Sequence, residues 1–282
     1  MPELPEVETI VRGLAPLITG QQIQEVEIHK AKVIACPEPS AFAELVKGRT
    51  IERLQRRGKY ILMELSGGVT MVIHLRMTGQ LVYYTDPAPP PKHTHLVLRL
   101  AQGWLRFTDP RQFGRVLAVP ASELDRVGGL KDLGPEPLDP RFTEKELCRL
   151  VNGRKQKIKA LLLDQRVLAG MGNIYTDEAL YLAGIHPDRP AAELTARETK
   201  ALYSAVKKVL DEGIAFGGTS VRDYVDAHGV EGRFQKMLKV YGKKGEPCPC
   251  CGTPIARTVC AGRGTYFCPR CQNKKCEVRG QW

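Results

Sequence analysis

The sequence predicts a multidomain α+β protein: an N-terminal helix and an antiparallel β domain, then a helical domain, then a short cysteine-bearing β-hairpin. Three observations predict it. Apolar residues recur at helical spacing near the start and again from residue 143; β-rich segments broken by turn signals lie between; and seven of the nine cysteines fall at or beyond residue 248. At 282 residues the chain has room for about two domains. An apolar content of 43% excludes a largely disordered chain, and no apolar run reaches the ~18 residues of a membrane helix. The acidic, proline-bearing start Met1–Ile10 lacks the basic and apolar regions of a signal peptide, so a soluble intracellular protein with no membrane partner is expected.

Residues 5–19 read as an amphipathic helix, with Val7, Ile10, Val11 and Leu14 on one face and Gly20 as its stop; Gly13 weakens it. Strands follow at Gln22–Lys30, Thr50–Leu54, Tyr60–Leu65, Val69–Leu75, His95–Leu100 and Leu105–Thr108, with one short helix at about Ser40–Lys47. Close spacing without intervening helices points to an antiparallel sandwich or barrel, of which the sandwich is the form expected. Three prolines between Gly134 and Pro140 mark a linker, since they continue neither helix nor central strand. Helices follow at about 143–151, 157–164, 173–183 and 195–213, and short strands return around the cysteines.

The net charge is +11, of which +8 sits in residues 231–282. An excess that dense suggests an anionic partner, most simply nucleic acid. Within the same segment Cys248-x2-Cys251, sixteen residues and Cys268-x2-Cys271 have the spacing of a four-cysteine zinc ribbon. One structural zinc ion is therefore expected, stiffening a basic hairpin whose tip carries Arg263. Cys250 competes for the register, but Cys248 with Cys251 mirrors Cys268 with Cys271. Cys250, Cys260 and Cys276 receive no role; Cys36 and Cys148 are isolated and read as ordinary thiols.

Removing Met1 would expose a secondary amine at Pro2, followed by carboxylates at Glu3 and Glu6. An α-amino group titrates near pH 8, so a useful fraction is a free nucleophile at neutral pH. Attack on an aldehyde-level carbon gives an iminium that acts as an electron sink, and a neighbouring carboxylic acid can protonate an opening sugar oxygen. Helix capping explains the same residues without chemistry: Pro5 suits a first turn, and Glu6 and Glu8 suit the positive end of the helix dipole.

Met1–Ile10, Arg57-Gly58-Lys59-Tyr60, His74-Leu75-Arg76-Met77-Thr78-Gly79, Thr108–Gly114, Gly172-Asn173-Ile174-Tyr175 and the paired cysteines occur in one order. Together they resemble the bacterial formamidopyrimidine-DNA glycosylase family, over residues 2 to about 272. The resemblance implies a catalytic β-sandwich domain with its N-terminal helix over 2–133, a hinge at 134–142, a helix–two-turns–helix DNA-binding domain over 143–235, a zinc finger over 238–272 and a tail of unknown role at 273–282. It implies a bifunctional glycosylase and AP lyase of base excision repair. Such an enzyme excises 8-oxoguanine and formamidopyrimidines from duplex DNA through a Schiff base on Pro2, then by β,δ-elimination. Glu3 would assist sugar opening, Glu6 would support it, Lys59 would donate a proton in β-elimination, and Arg263 would serve δ-elimination. Met77, Arg111 and Phe113 would fill the stack and grip the orphaned base.

His93, Arg154, Lys155, Lys159 and Asn173 match or adjoin DNA-contacting positions, Lys159 also near the catalytic groups, and a glycine-rich loop over 217–232 would close on the extruded base. The ligands of the single structural zinc would be Cys248, Cys251, Cys268 and Cys271. A monomer of the bacterial cytoplasm, acting at the nucleoid, is implied. Gln112 departs from members that carry a second arginine there. Two rivals stand beside this reading: an endonuclease VIII-like enzyme for oxidised pyrimidines, and a zinc-ribbon DNA-binding protein without catalysis. The Leu4-Pro5-Glu6-Val7 start argues against the first, and Pro2 with Glu3 against the second.

Overall fold

A computed structural model describes residues 1–221 and 223–273. The chain divides into two compact units, Met1–Asp132 with Gly213–Gln235, and Leu133–Glu212 with the described residues from Lys236 onward. The segment 213–235, expected with the helical domain, therefore groups with the first unit. Hydrogen bonds hold it there: Thr219 N–H donates to Glu6, Gln80 Nε2 to the Asp223 carbonyl, and Tyr83 N–H to the Ala227 carbonyl.

In the first unit α1 (Leu4–Ile18) buries Leu4, Val7, Ile10, Val11, Leu14 and Ile18, the 3.6-residue stripe expected of it. Ten further elements follow: β1 (Ile23–Ile28), β2 (Ile34–Cys36), α2 (Pro39–Val46), β3 (Ile51–Arg57), β4 (Tyr60–Leu65), β5 (Val69–His74), β6 (Gln80–Tyr84), β7 (Thr94–Leu100), β8 (Trp104–Thr108) and β9 (Arg115–Pro120). They form a four-stranded sheet ordered β1-β7-β8-β6 and a five-stranded sheet ordered β2-β9-β5-β4-β3. Every pairing is antiparallel except β2 with β9. Side chains of both sheets and of α1 share one core, including Ile10, Leu14, Ile61, Met71, Leu98 and Phe107. Strand β5 is the middle strand of its sheet and is buried at every position, which is why it reads as a continuous apolar run.

Strands β2, β6 and β9 were not expected. β2 is only three residues long, and β6 and β9 abut the motifs His74–Gly79 and Thr108–Gly114. Gly13, expected only to weaken α1, has a packing reason: a Cβ there would lie 2.8 Å from the Ala227 Cβ.

The second unit is helical, with α3 (Glu144–Val151), α4 (Ile158–Leu163), α5 (Asn173–Leu182) and α6 (Ala196–Ala215), whose last turn falls in the first unit's segment. Thr143 caps α3, its Oγ1 accepting from Glu146 N–H at 3.3 Å. The hairpin β10 (Ala256–Cys260) and β11 (Arg263–Phe267) pairs in simple antiparallel register, with Cys260 opposite Arg263. Among the described residues no helix is long and apolar enough to cross a membrane. Cys276 and the tail beyond Asn273 lie outside the described residues.

A Gly13→Ala variant should lose stability, by about 1 kcal/mol or more, although alanine favours helix by a similar amount. Urea unfolding measures it, and a stabilised variant would show that Ala227 does not press on α1.

Candidate active site

In the first unit the start of α1 is buried rather than frayed. Pro2 is buried, Glu3 is the residue preceding the helix, and Glu3 and Glu6 are 3% and 1% exposed. Glu6 uses both oxygens: Oε2 accepts Glu3 N–H at 2.7 Å and Oε1 accepts Thr219 N–H at 2.8 Å. The Tyr224 hydroxyl adds a 3.3 Å bond to the Glu6 carbonyl. The expected helix cap is thus present as a capping box, and its carboxylate also ties the helix start to the glycine-rich segment.

Lys59 lies in the two-residue turn between β3 and β4 and is almost fully buried. Met1 as a residue is exposed, but burial of its amino group holds that amine below the ordinary α-amino value; Glu3 and Glu6 pull it up, and Lys59 pushes it down. The terminal amine, Glu3, Glu6 and Lys59 therefore share one electrostatic environment.

His74 ends β5 in the same region. Burial first, then the Arg76 and Lys59 charges, lower it to about 3, so its imidazole is neutral. Nδ1 accepts the Arg76 N–H at 3.0 Å, and the ring meets Tyr60 edge-on at 4.6 Å. Beyond it Met77 and Phe113 are exposed apolar side chains, 38% and 44% accessible, and the Arg111 guanidinium lies 4.8 Å over the Phe113 ring. His93 and Arg111 are exposed.

In the second unit the sulfurs of Cys248, Cys251, Cys268 and Cys271 all lie within 4.8 Å of one another. Cys251 and Cys268 are 3.5 Å apart, Cys248 and Cys271 3.9 Å, close to the ~3.8 Å edge of a tetrahedron with 2.3 Å zinc–sulfur bonds. The residues fit one zinc ion. Cys250 is exposed and outside the cluster, as the mirrored register requires, and buried Cys260 is outside it too.

Helix α5 anchors this module. Glu178, 4% exposed, accepts the N–H groups of Lys239, Val240 and Tyr241, each at 2.9 Å. Asp177 Oδ2 accepts Tyr266 N–H at 2.9 Å, and its Oδ1 lies 2.6 Å from Lys159 Nζ. Burial pushes the Asp177 carboxyl up to about 7, while Lys159 and the Tyr266 amide pull it back. The Tyr181 hydroxyl reaches Cys248 Sγ at 3.4 Å, and Gln272 bridges Cys268 N–H to the Ile185 carbonyl. None of Asp177, Glu178, Tyr181 or Gln272 was expected; the sequence trace is the acidic pair Asp177-Glu178 in the middle of a helix.

Three domain families match the chain in order: the formamidopyrimidine-DNA glycosylase N-terminal domain over 1–116, the formamidopyrimidine-DNA glycosylase H2TH domain over 133–225, and the zinc finger found in FPG and IleRS over 245–274. A formamidopyrimidine-DNA glycosylase of Desulforamulus reducens is 49% identical over 98% of this chain and 100% of its own, and one of Moorella thermoacetica is 53% identical over 91% and 94%. The chain belongs to the formamidopyrimidine-DNA glycosylase family. Its structure is similar to that of Lactococcus lactis Fpg in complex with DNA containing an abasic site (TM-score 0.90, 39% identity, 96% of this chain and 100% of that one). It is also similar to the MutM (Fpg) protein of Thermus thermophilus (TM-score 0.87, 43% identity, 97% and 100%).

The structure revises the expectation for one residue. Lys159, expected among the phosphate contacts, is fully buried; its ammonium goes to Asp177, to Thr265 Oγ1 at 2.8 Å and to the Gly264 carbonyl at 3.2 Å. It is a strut beneath the hairpin, bound to the two residues that follow Arg263. Arg154 and Lys155 are exposed, as is Arg263 at the start of β11. Asn173 is the first residue of α5, directly after the cap residue Gly172; its Nδ2 donates to the Gly264 carbonyl at 2.9 Å, and its Oδ1 accepts from no described protein group.

Two outcomes follow. Because the folded His74 takes its proton only near pH 3 while an unfolded histidine takes it near pH 6.5, its contribution is complete above 6.5 and is lost as the pH falls from there toward 3, by about 1.4 kcal/mol per pH unit. His74→Asn, which keeps an acceptor for Arg76 N–H, should flatten that slope in urea unfolding between pH 6.5 and 4; an unchanged slope refutes it. Denatured protein should release about one zinc ion per chain to a chromogenic chelator. Cys268→Ser should lower that yield and Cys250→Ser should leave it intact; the reverse pattern would show that the ligands are assigned wrongly.

Proposed function

We propose that Pro2, freed by removal of Met1, is the nucleophile of a bifunctional DNA glycosylase and AP lyase that removes oxidised purines from duplex DNA in base excision repair. The observation that carries this reading is the buried helix start, where Pro2 is buried together with Glu3 and Glu6 and Lys59 is buried in the β3–β4 turn of the same unit. A non-catalytic DNA-binding protein has no use for acidic side chains buried beside the first residues of the chain, since burying them is costly.

The chemistry uses these groups in sequence. The Pro2 nitrogen bonds to C1′ as the glycosidic bond breaks and the damaged base departs with a proton. Glu3 protonates the ring oxygen as the sugar opens, leaving an iminium. Loss of a C2′ proton expels the 3′ phosphate, with Lys59 supplying a proton; a second elimination, served by Arg263, expels the 5′ phosphate. Water then releases Pro2. Glu6 acts on the scaffold, through the amides of Glu3 and Thr219.

Met77, Arg111 and Phe113 enter the stack in place of the extruded nucleotide, an apolar pair with a cationic hydrogen-bond donor, and their exposure supports that use. His93, Arg154, Lys155 and Asn173 contact the backbone, and the zinc-held hairpin presents Arg263 to it. The segment 217–232 covers the extruded base. Preference for oxidised purines over oxidised pyrimidines is supported by the names of the relatives. The enzyme acts as a monomer at the bacterial nucleoid, in the cytoplasm.

Borohydride should trap a covalent complex between the Met1-processed enzyme and an 8-oxoguanine duplex, and Pro2→Gly should cut its yield on the order of 100-fold. No trapped species from enzyme whose N-terminal Pro2 is verified by mass spectrometry would overturn the mechanism. A clear preference for thymine glycol would transfer the enzyme to pyrimidine lesions.

A further inference from the structure

One buried carboxylate outside the chemistry just described holds two loops at once. Asp109, fully buried, lies between β8 and β9. Its Oδ1 accepts the Thr78 hydroxyl, from the β5–β6 loop that carries Met77, and the Arg111 N–H at 3.2 Å. Its Oδ2 accepts the Gly114 N–H at 2.7 Å. The Asp109 carbonyl accepts Gln112 N–H at 3.1 Å and pairs with His95 Nε2 at 2.8 Å, while its own N–H donates to the His93 carbonyl at 3.0 Å. Each of the first-unit side chains assigned to DNA — Met77, His93, Arg111 and Phe113 — belongs to an Asp109 partner or to a residue next to one.

The backbone of these loops is strained in a matching way. Arg76, His93 and Gln112 have φ of 56°, 68° and 57°, left-handed values that cost an ordinary residue about 1 kcal/mol each. Each adjoins or is one of the DNA-assigned residues. Charge-assisted hydrogen bonds to a buried carboxylate are strong enough to offset strain of that size. Gly114 completes the clamp: a Cβ there would meet Phe107 Cζ at 2.4 Å and Asp109 Oδ2 at 3.1 Å, so only glycine lets its amide approach.

We propose that Asp109 is a positioning residue that fixes the Met77 loop and the Arg111–Phe113 loop in one register, so that apolar wedge and orphan-base reader enter the duplex together. The proposal rests on the proposed function for its DNA partner. It places opposite-base selectivity under the control of a residue that touches no DNA.

Asp109→Asn is isosteric but offers one acceptor where two are used. Whichever way the amide turns, its NH2 faces either Gly114 N–H or Arg111 N–H, leaving a buried donor unpaired. Trapping on single-stranded abasic DNA needs Pro2 but no orphaned base, and should stay within about threefold of wild type. Excision from duplexes should fall on the order of 30-fold, and the rate ratio between 8-oxoguanine opposite cytosine and opposite adenine should collapse toward one. Thr78→Val, which removes only the link to the Met77 loop, should give a smaller loss of the same kind. Equal losses on both substrates, or wild-type duplex rates and selectivity, would overturn the proposal. A readout independent of activity is trypsin nicking after Arg76 and Arg111, which should accelerate about fivefold or more in Asp109→Asn as the loops open; unchanged nicking also overturns it. Absence of trapping by the wild type, with accelerated nicking in the variant, would sink the enzymatic reading and leave the clamp standing.

Discussion

The start of the chain is held as firmly as a core side chain, and the constraint is met by one carboxylate. Glu6 is buried with both oxygens occupied, one by the amide at the head of its own helix and one by an amide more than two hundred residues away. Burying an uncompensated carboxylate is expensive, so the two amides and the folded segment that supplies one of them come as a set. Around this bond the rest of the first unit is arranged: α1 is pinned by its apolar stripe, the β3–β4 turn brings in Lys59, and β5 delivers a neutral His74. The same logic recurs in the second unit, where the adjacent buried acids Asp177 and Glu178 take backbone amides of the zinc module.

These three sites share a design rule. Buried acids here work mainly as acceptors for backbone N–H groups, and Asp109 follows the rule with Arg111 and Gly114. An amide donor is fixed by the chain and cannot rotate away, so a carboxylate facing several of them defines a loop conformation more tightly than a surface ion pair does. Two surface ion pairs, Arg12 with Glu8 and Arg149 with Glu146, lie within single helices and set no loop.

What could be read from the sequence followed from locality. Helices α1 and α3 were legible to within a residue or two because their apolar period is written in consecutive residues. Strands β2, β6 and β9 were not: β2 is too short to carry a pattern, and β6 and β9 pair with strands that are not their neighbours in sequence. The cysteine ligands were legible because spacing alone selects them. Lys159 was misplaced because its partners lie 18 and 106 residues away, and nothing local separates a buried lysine from a solvated one. Asp109 escaped notice for the same reason: Thr78, 31 residues distant, is what turns a loop aspartate into a clamp.

The first unit is discontinuous in sequence, and this bears on its birth. Residues 1–132 leave the ribosome without Thr219, Tyr224 or Ala227, so Glu6 Oε1 lacks the Thr219 amide and the face of α1 beside Gly13 lacks Ala227 at that stage. At ordinary translation speeds the segment through residue 235 arrives about 5–20 s later. The start of the chain, made first, is therefore among the last parts to be completed, and a fragment ending at residue 132 has the first helix but not the segment that closes against it.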